Sequence, residues 1–151
     1  MYLYRGLLYL AQGEGQSAVN DFVSARKLDS KSFPVNLALG RALLAAGRPR
    51  EAYAQIDGSL GLASSDPQLA MVYFWRAMAA EEDSLVTSAV EDWQALLALP
   101  AEALLPGWLE IAEEHLKLLT GTPTAVASPT PTRTTTPASS KTPNIRRTPT
   151  P

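Results

Sequence analysis

Apolar residues along most of this chain recur at helical spacing, in segments that are separated by short polar or glycine-rich turns. In the first pair of segments these positions are Leu3, Leu7 and Leu10, followed by Val19, Phe22 and Val23. The stretch from Gly13 to Gly15 separates the pair, and Gly47-Arg48-Pro49 separates the next one. No stretch alternates apolar and polar residues over the length of a strand. The pattern predicts an all-α fold.

The helical pattern is an internal repeat. The phrase SAVNDF at Ser17–Phe22 returns as SAVEDW at Ser88–Trp93, 71 residues later, and residues 2–6 match residues 73–77 at the same offset. A middle copy lies 34 residues after the first, where Gly6, Gly13, Ala18 and Phe22 become Gly40, Gly47, Ala52 and Ile56. We therefore predict three helix-turn-helix repeats, at about residues 1–32, 33–66 and 67–100.

Residue size within each repeat indicates how the two helices pack. Small residues at Gly6, Gly40 and Ala77 face small residues at Ala18, Ala52 and Ala89, so the helices can approach closely. Phe22 and Trp93 then fill the space between neighbouring pairs, and burial of each side chain contributes about 2–3 kcal/mol. A single pair cannot bury its apolar stripe alone, so we expect the repeats to stack as a solenoid.

The linkers and the segment after the repeats carry their own signals. Asp66-Pro67 is interpreted as an N-cap followed by proline in the first turn, and the third turn lacks glycine, so Asp83 or Ser84 is expected to cap the next helix. Pro106-Gly107 predicts one more helix, about residues 106–120, whose apolar face suits a cap on the solenoid. The predicted solenoid domain spans residues 1–121.

The 34-residue helix-turn-helix spacing and the residues at its key positions resemble the tetratricopeptide repeat family over roughly residues 1–100. The first-helix positions of that family, large, small and large, correspond to Tyr2, Gly6 and Tyr9. The second-helix positions, small, aromatic and small, correspond to Ala18, Phe22 and Ala25. Repeats two and three diverge, with Asn36 in place of the first aromatic and Leu96 in place of a small residue.

The resemblance implies a function as a protein-binding scaffold with no catalytic activity. Members of the family bind a peptide or protein partner on the concave surface formed by the first helix of each pair. On this chain that surface would contain Leu3, Leu7, Leu10, Leu37, Arg41, Leu44, Met71, Phe74 and Met78. An alternative is that several of these side chains only pack against neighbouring helices. The Lys and Asn set with which some members hold a C-terminal carboxylate is missing, so that ligand is not predicted.

Residues 122–151 differ from the rest of the chain in composition. They contain no aromatic and no acidic residue, are rich in Thr, Pro and Ser, and carry four basic residues. The first 121 residues contain nine basic and 15 acidic residues, a net charge of −6. We expect the segment to be a disordered, extended spacer, because it has too few apolar side chains to form a core. The acidic helical part argues against nucleic-acid binding.

The residue types that carry chemistry are sparse. The chain has no cysteine, and its one histidine, His115, has no nucleophile pattern beside it, so it is interpreted as a surface or interface residue. The run Glu81-Glu82-Asp83 is interpreted as a solvated helix end rather than a cation site, and Gly13-Glu14-Gly15 as a turn rather than a phosphate loop. We therefore predict no catalytic residue, no metal and no cofactor.

Three functional hypotheses remain open from the sequence. The first is the interaction scaffold, as a fragment of a larger protein, since the first repeat lacks the usual start of its helix. The second is an accessory region of a multidomain enzyme or sensor, with the catalytic domain elsewhere. The third makes the Thr/Pro-rich segment a substrate for O-glycosylation or proline-directed phosphorylation. The oligomeric state and the partner's identity do not follow from the sequence.

Two observations concern location. No apolar run approaches the roughly 20 residues of a membrane span, and the apolar stretch from Tyr2 to Ala11 is interrupted by Arg5 and matches an internal helix, which argues against a signal peptide. Thr/Pro-rich spacers resemble those of bacterial surface and secreted proteins, so a cell-surface or secreted location is favoured over a cytoplasmic one.

Overall fold

The computed structural model describes residues 1–121, and these residues form seven α-helices and no strand. The helices are α1 Tyr2–Ala11, α2 Gly15–Leu28, α3 Phe33–Ala45, α4 Pro49–Asp57, α5 Asp66–Glu82, α6 Val86–Leu97 and α7 Trp108–Thr120. Short 3₁₀ helices at Leu60–Leu62 and Ala101–Ala103 precede α5 and α7. The predicted all-α fold of three helix pairs and a further helix is confirmed. The predicted spacer, residues 122–151, lies outside the described residues.

Small residues allow the two helices of a pair to approach closely. A Cβ atom added at Gly6 would lie 2.7 Å from the ring of Phe22, and one added at Gly40 would lie 2.3 Å from Ile56 Cγ1. Phe22 and Ile56 are fully buried at these positions. Any side chain in place of either glycine would therefore push the two helices of its pair apart.

The turns inside the pairs share one backbone conformation. Gly13 and Gly47 adopt φ values of +78° and +71°, in the left-handed region that favours glycine. Ser84 occupies the equivalent place in the third pair and adopts φ 60° without being a glycine. The expected side-chain cap from Asp83 or Ser84 is wrong, since the N-cap residue of α6 is Leu85, with no side-chain cap bond. The N-cap of α5 is Ser65, and Asp66 is its first helical residue.

Helix α5 belongs to both hydrophobic clusters of the described chain. Val72 and Ala79 on one side of α5 join a cluster formed mainly by α2, α3 and α4. Phe74 and Ala77 on the other side join a second cluster with residues of α6 and α7. The two clusters are therefore held in fixed relation by a single helix.

Helix α7 closes the second cluster, as a capping helix should. The ring of Trp108 stacks on Phe74, with centroids 4.1 Å apart and an interplanar angle of 11°. Ala112 and Leu116 of α7 are buried against the same cluster. Trp108 and Phe74 thereby attach the start of α7 to α5, over the face that a further repeat would use.

Glu81 gives α7 a polar attachment as well. The indole Nε1 of fully buried Trp93 donates to Glu81 Oε1 at 2.5 Å, and Nδ1 of His115 lies 2.8 Å from the same oxygen. A carboxylate accepts hydrogen bonds, so Nδ1 is the donor in this contact. The interpretation of Glu81 as part of a solvated helix end is wrong, because Glu81 links α5, α6 and α7. His115 is an interface residue.

An arginine–aspartate pair recurs in the first and third helix pairs. In the third, Nε and Nη2 of Arg76 donate to the carboxylate of Asp92, and Nη1 donates to Asp57 of α4. Burial lowers the pKa of Arg76, but the hydrogen bonds and charge of Asp92 outweigh it and raise that pKa. Burial raises the pKa of the Asp92 carboxyl, and Arg76 opposes that rise. Arg76 thus joins α4, α5 and α6 through charged hydrogen bonds.

The first pair has the same bridge within α1 and α2. Nε and Nη2 of Arg5 donate to the two carboxylate oxygens of Asp21 at 2.6 and 2.7 Å. These hydrogen bonds hold the pKa of the Asp21 carboxyl below its ordinary value of 3.8. The Arg5 side chain is 46% exposed, compared with 14% for Arg76. Solvent therefore screens this bridge more than the equivalent one in the third pair.

We expect Arg76→Ala to lower the free energy of unfolding by about 3–5 kcal/mol, because it leaves Asp92 buried without a partner. Urea unfolding followed by circular dichroism measures the loss. Arg5→Ala, at the equivalent and more exposed position, is the matched control and should cause a smaller loss. Equal losses in the two variants would show that burial of the pair does not set its contribution.

The Arg5–Asp21 bridge predicts a dependence of stability on pH. Because the folded-state pKa of Asp21 is lowered, its contribution is complete above the ordinary carboxyl value of 3.8 and is lost as the pH falls through the folded-state value. Urea unfolding of the wild type and Asp21→Asn at pH 7, 4, 3 and 2 tests this. The stability difference between the two should be constant down to about pH 4 and shrink below it. A difference that is independent of pH would contradict the assignment.

Glu81→Ala should destabilise the chain by about 1–3 kcal/mol, because the buried indole N–H of Trp93 loses its acceptor. The same change releases His115, so amide hydrogen exchange in α7 should accelerate more than exchange in α3. Glu82→Ala, at the neighbouring exposed carboxylate, is the control and should leave both quantities close to the wild-type values.

Candidate partner-binding groove

The first helices of the three pairs, α1, α3 and α5, together form a groove on one side of the stack. It encloses about 400 Å³. The lining consists mostly of apolar side chains with one basic, one acidic and one aromatic residue: Leu7, Leu10, Ala11, Arg41, Leu44, Ala45, Trp75 and Glu82. We call this cavity the groove. The groove residues occupy equivalent positions of successive repeats. Leu7 and Arg41 lie 34 residues apart, and so do Leu10 and Leu44.

Arg41 is the polar centre of the groove. Its guanidinium carbon lies 4.6 Å from the centroid of the Trp75 ring, within range of a cation–π interaction. Its Nε is buried and has no hydrogen-bond acceptor among the described residues. Burial lowers the pKa of Arg41 below its ordinary value, with no carboxylate to oppose that effect. The groove therefore presents a cation whose hydrogen-bonding capacity is not used within residues 1–121.

The arrangement suits a ligand that is apolar and carries one acceptor. Leucine and alanine side chains provide the apolar surface, and the guanidinium provides donors in a fixed planar geometry. Glu82 also lines the groove, so an additional charge on a ligand would meet a carboxylate as well as Arg41.

The predicted partner-binding residues divide into three groups in the structure. Leu7, Leu10, Arg41 and Leu44 line the groove. Leu3, Met71 and Met78 are half-buried and do not line it. Leu37 and Phe74 are buried in the two clusters, with 5% and 8% exposure, so they support the helices instead of presenting a contact surface. A binding role for the nine residues stays a prediction.

Trp75 and Glu82 are groove residues that the sequence reasoning did not select. Phe74 and Trp75 are adjacent, and helical spacing from Met71 and Met78 suits either of them, so the sequence does not distinguish which ring enters the groove. The repeat could have identified Glu82 from the sequence, because Glu82 occupies the position equivalent to Ala11 and Ala45 in the other repeats. That register indicates that the end of α5 belongs to the same surface.

A second cavity, of about 390 Å³, lies between α2, α3 and α4. Its charged side chains are already paired: Arg26 donates to Gln55 at 2.6 Å, and Arg48 donates to Glu51. Among the described residues that line this cavity, no side-chain nitrogen is buried without an acceptor, as Arg41 Nε is in the groove. The groove is therefore the better candidate for a binding site.

Other kinds of site find little support in residues 1–121. These residues contain no group of three or more His, Cys, Asp or Glu side chains that could hold a metal ion. Within the same range, no helix has both the length and the apolar character needed to cross a membrane.

Comparison with known proteins agrees with the repeat geometry. Residues 9–81 match the family model described as Tetratricopeptide repeat. No curated protein matches the chain in sequence. Among solved structures, the chain is similar to the NMR structure of the first TPR domain of the human RPAP3 protein, with a TM-score of 0.62 and 16% sequence identity. That match covers 80% of this chain and 94% of the human domain.

At this identity the structural likeness concerns the fold, and the family model adds the sequence evidence. The match over residues 9–81 and the structural likeness support the assignment of these repeats to the tetratricopeptide repeat family, whose members are in general non-catalytic scaffolds for protein–protein interaction.

Proposed function

We propose that this chain is a non-enzymatic scaffold that binds a peptide segment of a protein partner in the groove between α1, α3 and α5. The observation that carries the proposal is the guanidinium of Arg41, which lines the groove and has no hydrogen-bond acceptor among the described residues. Its Nε is itself buried, so a ligand oxygen would accept from the terminal nitrogens of the guanidinium. A hydrogen bond to a charged group contributes about 1.5–3 kcal/mol, so binding is favoured at this point of the groove.

The surroundings of Arg41 define the peptide further. Leu7, Leu10 and Leu44 offer apolar surface, so the peptide should insert at least one aliphatic or aromatic side chain. Hydrogen bonds to charged groups are stronger than neutral ones, so the acceptor should be a carboxylate. Trp75 holds the guanidinium against its ring and reduces the side-chain entropy lost on binding.

The ligand should carry one acidic residue rather than an acidic run. Glu82 lies in the same groove and repels additional carboxylates. The net charge of −6 on residues 1–121 acts in the same direction at longer range. We therefore propose an apolar peptide segment with a single internal Asp or Glu.

Selection from a displayed library of random peptides, followed by anisotropy measurements on the selected peptides, tests the proposal. The selected peptides should combine apolar residues with one acidic residue. Arg41→Gln should weaken their binding roughly ten- to hundred-fold, the equivalent of one charged hydrogen bond.

Arg50→Gln is the matched control, because the Arg50 side chain is 88% exposed and lies outside the groove. It should leave the affinity unchanged. A thermal melt of each variant shows that the fold is kept. Selected peptides that bind Arg41→Gln as tightly as the wild type, or that lack an acidic residue, would contradict the proposal.

A further inference from the structure

The outer side of α1 carries a stripe of large exposed residues. Met1, Tyr4, Arg5 and Leu8 are spaced at three, four and seven residues, so they share one helix face. Met1, Tyr4 and Leu8 are 92%, 78% and 56% exposed. We call these four residues the outer stripe. Its exposure is unusual for large apolar side chains that are neighbours on one helix face.

The repeat register shows what this stripe is equivalent to. The same four positions in α3 are occupied by Val35, Ala38, Leu39 and Ala42, all of them buried. In α5 they are occupied by Val72, Trp75, Arg76 and Ala79, of which Val72 and Ala79 are fully buried. These residues are buried because the preceding pair packs on them, with α2 against α3 and α4 against α5. The outer stripe therefore has the position of a repeat-to-repeat interface.

Arg5 adds a polar requirement to that interface. In the equivalent Arg76, two nitrogens donate to Asp92 in its own pair and Nη1 donates to Asp57 of the preceding pair. In Arg5, Nε and Nη2 donate to Asp21, and Nη1 has no acceptor among residues 1–121. Arg5 occupies the repeat position of Arg76, so Nη1 of Arg5 would donate to a carboxylate on a neighbouring helix.

The charge of α1 argues against a second copy of α1 as that neighbour. Helix α1 contains no acidic residue. Two outer stripes packed together would offer Nη1 of Arg5 no carboxylate from α1, and each Asp21 already accepts from Nε and Nη2 of its own Arg5. The missing acceptor has to come from a helix of different composition.

Helix α4 shows the composition that fits. Asp57 accepts from Arg76, and the ring of Tyr53, one turn earlier, lies 5.8 Å from the same guanidinium. We propose that the outer stripe of α1 binds an amphipathic helix of a protein partner that presents an apolar stripe with an aromatic residue and, one turn later, a carboxylate. The apolar residues cover Met1, Tyr4 and Leu8, and the carboxylate accepts from Nη1 of Arg5. This surface lies beside the groove and is separate from it.

A fusion supplies such a helix at high effective concentration. A copy of residues 48–71 is placed directly before Met1 of the full chain, so that α4 is duplicated and Met1 takes the position of Val72. The control carries only residues 66–71 before Met1, which lengthens α1 without adding a helix. The melting temperature of the long fusion should exceed that of the control by roughly 5 °C or more.

A double-mutant cycle tests the proposed contact. Asp57→Asn in the added copy alone should remove part of the gain in melting temperature. The same change should have no effect when Arg5→Gln is already present, because the donor is then missing. Losses that add independently would overturn the proposed hydrogen bond, and equal melting temperatures of the long fusion and the control would overturn the docking surface.

Sedimentation equilibrium of the unfused chain tests whether a second copy of the chain covers the outer stripe instead. We expect a monomer. A dimer that Tyr4→Glu converts to monomers would show that a second copy covers the outer stripe, and it would overturn the proposal of a partner helix.

Discussion

The close approach of two helices at a small residue is the constraint on which the rest of the structure depends. At Gly6 and Gly40 there is no room for a side chain, because Phe22 and Ile56 already occupy the space. With the pairs this tightly packed, each pair still leaves an apolar stripe that only its neighbour can cover. The stacking of pairs, the continuity of the core and the alignment of α1, α3 and α5 along one groove all follow from this requirement.

Charged bridges accompany the apolar packing in two of the three pairs. Asp92 and Asp21 are both buried, but the Arg76 side chain is 14% exposed and also joined to α4, whereas the Arg5 side chain is 46% exposed. The middle pair has Leu39 and Gln55 in the equivalent positions, and Gln55 accepts instead from Arg26 and donates to Asn36. The stack therefore does not need the arginine–aspartate bridge in every pair, because a glutamine with other hydrogen-bond partners occupies the aspartate position of the middle pair.

The groove differs from the contacts between helices in what determines its residues. A position in a helix–helix contact must be small or must fill a defined space, so its residues recur. A groove position has no such requirement, and one register position holds Leu7 in the first pair and Arg41 in the second. The chain can therefore place an isolated guanidinium in an apolar surface without disturbing the stack. Binding specificity belongs to these variable positions, and architecture belongs to the repeated ones.

The sequence predicted the repeat, its helices and about half of the groove, because periodic apolar residues and glycine turns are local signals. Leu7, Leu10, Arg41 and Leu44 came from that register. The register could not show whether Phe74 or Trp75 enters the groove, because two adjacent residues on a helix differ by only 100° in direction.

Contacts between distant elements had no local signal at all. Gly15, interpreted as part of a turn, begins α2, and a Cβ atom added there would lie 2.6 Å from the backbone of Ala45 and Ala46. Glu81 in an acidic run became the acceptor for Trp93 and His115, because α7 folds back over α5 and α6. The sequence by itself determined the helices and their order of stacking, since each depends on residues within one or two repeats. Only the tertiary structure decided which polar side chains meet, because burial and pairing depend on helices that are distant in the chain.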